Sequence, residues 1–332
     1  MNLIKWIRAE LRPRQVDSTA LLYDRMESQS GRCLPVIYQP FDINKRSHWA
    51  DRGACWDFYH SVGDGRLLDF GPGDGWPALL LAPFVEEVIG VDASARRVKV
   101  CRENAKRLNI RNAEFIQVPA GESLPFADEL FDGVTAASAV EQTPDPQATI
   151  AELYRVLRPG GKLRITYEAL GRYRDGRERE LDLWPLGDSK TLLLVYDRNL
   201  KEERVVQYAL LLEANRIEIE SVLRAQFPLY GVMAFELGQL DLLRSMVTDS
   251  CQSVLRHPSG ATLQQWLLAA GFSSVEPTQN GSDFGACLYD EIVIERRPQT
   301  LVELDSVLRS EVTAVVLRPA PIESDPWLTA VK

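Results

Sequence analysis

The chain has 332 residues, of which 45% are hydrophobic and 26% are charged, as in an ordinary folded protein. This composition excludes a disordered chain, a collagen-like repeat and a small disulfide scaffold. A formal net charge of −9 argues against a dedicated nucleic-acid binder, because phosphate contacts need clustered Lys and Arg. The five cysteines form no C-x-x-C pair, which favours neither zinc nor disulfides and fits the reducing cytoplasm.

The N-terminus predicts a short amphipathic helix. Leu3, Ile4, Ile7 and Leu11 fall on one helical face. That face indicates packing onto the chain's own domain or onto the partner in a homodimer, with a membrane-surface helix as the alternative. No stretch approaches the ~20 apolar residues that span a bilayer, and the N-terminus has no signal-peptide pattern. We predict that residues 1–60 form a helical lid segment.

From residue 66 onward, short apolar runs alternate with amphipathic helical stretches. Strands are predicted at 66–71, 87–92, 113–118, 131–139 and 162–169, and helices at 94–109 and 146–157. Ser94 is a plausible N-cap, and Pro146 stands at a permitted first-turn position. Such alternation predicts right-handed crossovers and a parallel sheet with helices on both faces.

After residue 170 this pattern breaks and later resumes. Residues 171–259 are predicted to be an inserted cap or substrate lid, with an antiparallel hairpin formed by 191–198 and 203–213. The pattern resumes with a helix at 261–272 and strands at 273–279 and 287–296. The predicted core therefore comprises 61–170 and 260–296, and residues 297–332 are an extra C-terminal tail.

A glycine loop follows the first strand of this core. In LLDFGPGDGWP (67–77) the strand carries Asp69, and glycines follow at 71, 73 and 75. Glycine permits positive φ and lets the backbone approach a ligand at the carboxyl end of a parallel strand. About twenty residues further on, Asp92 ends the second strand, where a carboxylate can accept hydrogen bonds from ribose hydroxyls. The pattern indicates a nucleoside ligand; the alternative is a turn that only connects strand and helix.

The spacing also bears on which nucleoside binds. Dinucleotide folds use G-x-G-x-x-G, and the third glycine position is Trp76 here, which favours a ligand without a pyrophosphate. A nicotinamide-dependent reductase would need a Tyr-x-x-x-Lys pair, and the nearest match, Tyr154 and Arg158, has the wrong basic residue. A non-catalytic nucleoside-binding subunit is the other alternative.

Four motifs then follow one another in a recognisable order: LLDFGPGDG, VIGVDAS (88–94), GESLPFADELFDGV (121–134) and ELYRVLRPGGKLRI (152–165). Together they resemble the class I S-adenosylmethionine-dependent methyltransferases, within the UbiE-like group of ubiquinone/menaquinone-biosynthesis enzymes. The resemblance covers about residues 60–170 and 260–296. It implies an α/β, Rossmann-like fold with a seven-stranded, mostly parallel sheet, S-adenosylmethionine as cofactor, and no metal. It places cofactor contacts at Asp69, Gly71, Gly73, Gly75, Asp92, Ala93, Gly121, Glu122 and Ser138.

Two positions depart from the family pattern. The acid normally found on the adenine side is Ala120, so recognition there falls to the backbone near Gly121 and Glu122, or to Glu122 itself. The common E-H-x-x-D reads Glu141 to Asp145 with Gln142 in place of histidine, and an amide cannot act as a general base.

The catalytic residue and the methyl acceptor are left open by the sequence. His48 and Tyr167 are weak catalytic candidates, and a local hydrogen-bonding role is the alternative for each. Aromatic residues in the lid segments suit a small organic substrate.

Overall fold

The computed structural model describes residues 2–20, 24, 41–167, 181–224 and 236–332. Its strands are β1 Arg14–Gln15, β2 Arg66–Phe70, β3 Glu87–Asp92, β4 Ala113–Gln117, β5 Phe131–Ala137, β6 Leu157–Thr166, β7 Leu181–Pro185, β8 Thr191–Asn199, β9 Arg204–Leu212, β10 Val247–Arg256, β11 Ser274–Thr278 and β12 Trp327–Val331. Its α-helices are α1 Leu3–Trp6, α2 Arg46–Val62, α3 Ala78–Leu81, α4 Ala95–Arg107, α5 Pro146–Val156, α6 Arg216–Arg224, α7 Leu237–Met246, α8 Gly260–Ala269, α9 Gly281–Glu291 and α10 Leu301–Val315.

The chain divides into two compact units. The insertion unit comprises Met1–Gly31 and Leu170–His257, and the core unit comprises Arg32–Ala169 and Pro258–Lys332. Each has its own sheet and its own buried apolar clusters. None of the described helices is long and apolar enough to cross a membrane.

The core unit contains a seven-stranded sheet in the order β11-β12-β6-β5-β2-β3-β4. Strands β6, β5, β2, β3 and β4 pair in parallel, whereas β12 runs antiparallel to both of its neighbours. This confirms the predicted α/β fold with a mostly parallel sheet. Since β3 lies on one side of β2 and β5 on the other, the loop after β2 is at a topological switch point, where open α/β sheets bind ligands.

The last strands of the core differ from the prediction. The strand predicted at 287–296 is wrong: the first half of that segment belongs to helix α9, which ends at Glu291. The helix is capped by Asn280, whose side chain accepts from the Asp283 N–H at 2.8 Å. Close packing on α2 holds this helix, because a Cβ at Gly285 would lie only 2.3 Å from the Trp49 carbonyl oxygen.

The seventh strand comes instead from the end of the chain. Strand β12 lies within residues 297–332, the segment predicted to be a tail, and it pairs with β6 and β11. The same segment also contains helix α10. The last residues are therefore part of the core unit.

Residues 1–60 also differ from the single lid segment that the sequence predicts. Leu3, Trp6 and Ile7 are buried in the apolar cluster of the insertion unit, where α1 continues into a π-helical turn at Ile7–Leu11. The predicted amphipathic helix thus packs on its own unit. Helix α2, in contrast, packs in the core unit, where Trp49 and Trp56 join an apolar cluster with α10.

The insertion unit is built on a five-stranded sheet in the order β1-β10-β9-β8-β7. The predicted hairpin is present as β8 and β9, with Leu193 opposite Leu210. One face carries the apolar cluster with α1, and the other carries a smaller cluster that includes Leu194 and Cys251.

Candidate active site

The glycine loop leaves β2 with three left-handed backbone positions: φ is +74° at Gly71, +58° at Gly73 and +109° at Gly75. A Cβ at Gly71 would lie 2.3 Å from the Ala139 Cβ, so close packing requires glycine there. A Cβ at Gly73 would meet no atom within 4 Å. Gly73 therefore presents bare backbone to open space at the switch point of the sheet.

Asp92 connects this loop to the end of β3. One carboxylate oxygen accepts from the Ser94 N–H at 2.8 Å, and the other accepts from the Gly73 N–H at 3.3 Å. The cap of α4 is Ser94, whose hydroxyl accepts from the Arg97 N–H at 3.1 Å. Asp92 is therefore not the cap of this helix, and its half-buried carboxylate lies beside the backbone of Gly73.

Asp69 lies beneath the glycine loop and is not exposed at its surface. Its side chain is fully buried, and it accepts from the Thr135 hydroxyl at 2.9 Å and from the Ala78 N–H at 3.0 Å. Burial raises the pKa of the Asp69 carboxyl to about 7. These bonds hold β5 and the start of α3 against β2, so Asp69 positions the loop.

Three carboxyl groups lie around the glycine loop. The Cys101 thiol donates to the Gly73 carbonyl at 3.1 Å, and its pKa is raised by burial and by the carboxylates of Asp92, Asp69 and Asp74. Asp74 forms a buried ion pair with Arg97. Sequence reasoning missed this pair and the thiol, since neither belongs to a motif. Because Arg97 offsets the charge of Asp74, the carboxylate that faces the loop is Asp92, which favours hydroxyl donors or a cationic group there.

Four further predicted contacts lie in loops at the carboxyl ends of the strands. Gly121 has φ +86°, and Glu122 beside it is exposed. Ser138, directly after β5, is exposed, has φ +51° and donates its N–H to the Thr166 carbonyl at 2.9 Å. Ala93 is half-buried and follows Asp92.

A clamp from α5 holds the loop that follows Gly121. The Arg155 guanidinium donates to the carbonyls of Leu124 at 2.9 Å and Phe126 at 2.7 Å, and Glu152 accepts from the Leu124 N–H at 2.8 Å. Glu152 and Arg155 also pair with each other at 2.9 Å. The E-x-x-R of the fourth motif is thus a structural clamp on the loop of the third.

Comparison with known proteins gives this region a family. Residues 68–165 match the methyltransferase domain family. An uncharacterized methyltransferase, YcgJ of Bacillus subtilis, is 40% identical over 97 residues, 29% of this chain and 38% of that protein. The ubiquinone/menaquinone biosynthesis C-methyltransferase UbiE of Geotalea daltonii is 33% identical over 105 residues, 31% of this chain and 45% of that protein. Residues 68–165 therefore match a methyltransferase domain, in agreement with the class I S-adenosylmethionine-dependent family that the four motifs resemble.

These sequence matches cover only part of each chain. The chain spans less than half the length of these two relatives. The crystal structure of Bacillus subtilis YcgJ superposes with a TM-score of 0.34 at 34% identity, covering 36% of this chain and 50% of that one.

Both catalytic candidates, His48 and Tyr167, are buried and have close local contacts. His48 is 2% exposed, and its Nδ1 accepts from the Asp42 N–H at 3.0 Å; burial and Lys45 lower its pKa. Tyr167 is 4% exposed within the main apolar cluster, and a Cβ at Gly260 would lie 2.8 Å from its hydroxyl. These contacts favour the local structural role that the sequence offers as the alternative for each residue.

The E-Q-T-P-D segment after β5, residues 141–145, also has local structural roles. Asp145 caps α5, since it accepts from the N–H groups of Gln147 and Ala148, both at 3.0 Å. Glu141 is 1% exposed. In the described part of the chain, no group of three or more His, Cys, Asp or Glu residues is placed to hold a metal ion.

Proposed function

We propose that this chain transfers a methyl group from S-adenosylmethionine to a small organic acceptor. The observation that carries the proposal is the Asp92 carboxylate, which lies beside the bare backbone of Gly73 and the open space there. S-adenosylmethionine carries a sulfonium and an ammonium group, and it has no pyrophosphate. A nicotinamide dinucleotide would instead need a third glycine under its pyrophosphate, at the position that Trp76 occupies here.

The residues at the loop fit this cofactor. Gly73 leaves open space next to the Asp92 carboxylate, and charge-assisted acceptance from two ribose hydroxyls needs such an acceptor at the end of the second strand. Gly121 and Glu122 would border the adenine, with the clamp of Glu152 and Arg155 holding their loop.

When bound, S-adenosylmethionine supplies a methyl group that its sulfonium already activates. The chain then has to align the acceptor in line with that methyl group and exclude water. A base is required only where the acceptor is a hydroxyl, a carbon acid or a protonated amine. Gln142 cannot serve as that base, and Asp145 is committed to capping α5.

The direct test is calorimetric titration of the purified chain with S-adenosylmethionine, S-adenosylhomocysteine and NAD. We expect both sulfur nucleosides to bind and NAD not to bind. NAD binding without S-adenosylmethionine binding would contradict the proposal. Binding of the sulfur nucleosides without turnover on any small-molecule acceptor would favour the non-catalytic subunit.

Gly73→Val tests the placement of the cofactor. A branched side chain would fill the open space beside Asp92, so we expect S-adenosylmethionine binding to fall by at least about 100-fold, that is, by about 3 kcal/mol or more. Gly160→Val is the matched control: φ is +78° there, and a Cβ meets nothing within 4 Å. The residue lies in the irregular start of β6, between the residues that pair with Phe131 and Gly133, at the end of the sheet opposite to the glycine loop. Both variants bear similar backbone strain, of order 1–3 kcal/mol, so equal affinity in the two would refute the placement.

A further inference from the structure

The second face of the insertion-unit sheet carries a row of polar side chains. Tyr196, Gln207 and Ser253 stand directly opposite one another across β8, β9 and β10. His257 extends the same row along β10, because its N–H donates to the Glu203 carbonyl at 3.0 Å and residues two or four apart share a face.

Three of these side chains are buried with polar atoms unpaired. Gln207 is 7% exposed, Ser253 2% and His257 1%. The Gln207 Oε1, the Ser253 Oγ and both ring nitrogens of His257 have no hydrogen-bond partner among the described residues, although the Gln207 Nε2 reaches the Tyr196 hydroxyl at 3.5 Å. Buried polar groups in folded proteins are nearly always paired, because an unmade bond costs the full desolvation of the group.

The surroundings of the row are apolar and nearly uncharged. Leu194, Ala209 and Cys251 lie on the same face and are buried. Burial lowers the pKa of His257 to about 4, so the neutral ring offers one donor and one acceptor near neutral pH. The cation that faces it is Arg198, whose guanidinium lies over the Tyr196 ring at 4.6 Å from the centroid.

We infer that this sheet face is a binding site for an uncharged organic molecule that carries a hydroxyl group on an apolar body. A hydroxyl both donates and accepts, so it can satisfy the Gln207 carbonyl oxygen together with the Ser253 hydroxyl or the His257 ring. The apolar neighbours receive the body of the molecule. An acceptor methylated on oxygen belongs to this class, but the inference rests on the sheet alone and stands without the proposed function.

The first experiment tests whether the polar atoms of the row contribute to the stability of the fold. Ser253→Ala and His257→Leu remove unpaired atoms, so in the full-length protein we expect each to raise the melting temperature by about 2 to 4 °C. Ser250→Ala, on the same strand but the opposite face, should change it by less than about 2 °C. A fall in melting temperature for both site variants would mean that the row is paired within the fold, and it would overturn the inference.

The second experiment measures binding of three small probes of matched size by ligand-observed NMR: p-cresol, toluene and 4-methylbenzoate. We expect p-cresol to bind the full-length protein better than 4-methylbenzoate, and its affinity to fall about 5- to 10-fold in Ser253→Ala and His257→Leu. Toluene should bind all the proteins equally, and Ser250→Ala should match the original chain. Equal p-cresol affinity in all four proteins, or no p-cresol binding to the original, would overturn the inference.

Discussion

At the scale of single residues, Asp92 has two tasks that can be separated. Its carboxylate holds the N–H groups of Ser94 and Gly73, and under the proposed function it also accepts from the ribose of the cofactor. The first task concerns the stability of the loop, and the second concerns affinity. The true cap, Ser94, lies two residues away and provides a reference for effects on stability alone.

We therefore expect Asp92→Ala to weaken S-adenosylmethionine binding by about 10- to 150-fold, because a charged acceptor contributes roughly 1.5–3 kcal/mol. Asp92→Asn should weaken binding less, since the amide oxygen still accepts. Ser94→Ala should lower the free energy of unfolding by about 0.5–2 kcal/mol and leave affinity nearly unchanged. Calorimetric titration and thermal melts of the three variants make the comparison. Asp92 does not bind the cofactor if Asp92→Ala resembles Ser94→Ala in both measurements.

Among the elements of the core unit, a buried ion pair joins helix α2 to strand β6. Arg164 donates to Asp57 through two nitrogens, at 2.7 and 2.9 Å, and both side chains are 0% exposed. The Arg164 guanidinium also donates to the Thr278 hydroxyl, and Asp57 accepts from the Gly281 N–H at 2.8 Å. Each charge is thus fully paired, and the pair ties α2, β6, β11 and α9 together.

Removing one partner should be costly, because it leaves the other charge buried. We expect Asp57→Ala to lower the free energy of unfolding by about 3–5 kcal/mol, measured by urea denaturation. Asp290→Ala is the matched control, because Asp290 of α9 accepts from Arg46 of α2 at 2.9 Å and so joins two of the four elements that the buried pair connects. Both of these side chains are about half exposed, so the expected cost is about 0–1 kcal/mol. Equal costs for the two variants would show that the buried pair does not hold these elements together.

For the molecule as a whole, local patterns predicted the strands β2 to β6, the hairpin β8–β9, the Ser94 cap and the glycine loop. Each depends on residues close in sequence, through alternation, capping or positive φ. Helix α9 and strand β12 depend on distant partners. The glycines of α9 pack on α2, and β12 completes the sheet between β6 and β11.

The residues of the candidate site also fall into two groups: those that the local sequence predicts and those that only the fold brings together. Motif residues such as Gly73 and Asp92 were predictable from spacing. The pair of Asp74 and Arg97 and the polar row of the insertion unit were not, because their members meet only in the folded chain. One signal was present: Gln207 interrupts an otherwise apolar strand.

A deletion can test whether the insertion unit acts as the substrate lid. The division into units decides which residues that deletion has to remove. Removing only 171–259 would leave β1 without its partner β10. It would also expose Leu3, Trp6 and Ile7, which pack in the insertion-unit cluster. The deletion should therefore remove residues 1–31 as well, with Ala169 joined to Pro258 by a short Gly/Ser linker.

We expect this core-unit chain to fold, because its sheet and its apolar clusters with α2 and α10 lie within Arg32–Ala169 and Pro258–Lys332. S-adenosylmethionine affinity should stay within about 10-fold of the full chain, a difference of about 1.4 kcal/mol, since the glycine loop and Asp92 are retained. If the insertion unit is the substrate lid, turnover on an acceptor that the original chain methylates should be lost, because water is then no longer excluded and the acceptor is no longer aligned. Circular dichroism, calorimetry and an S-adenosylhomocysteine assay measure the three quantities. Turnover that survives the deletion would refute the lid, whereas a folded core unit that no longer binds S-adenosylmethionine would place part of the cofactor site in the insertion unit.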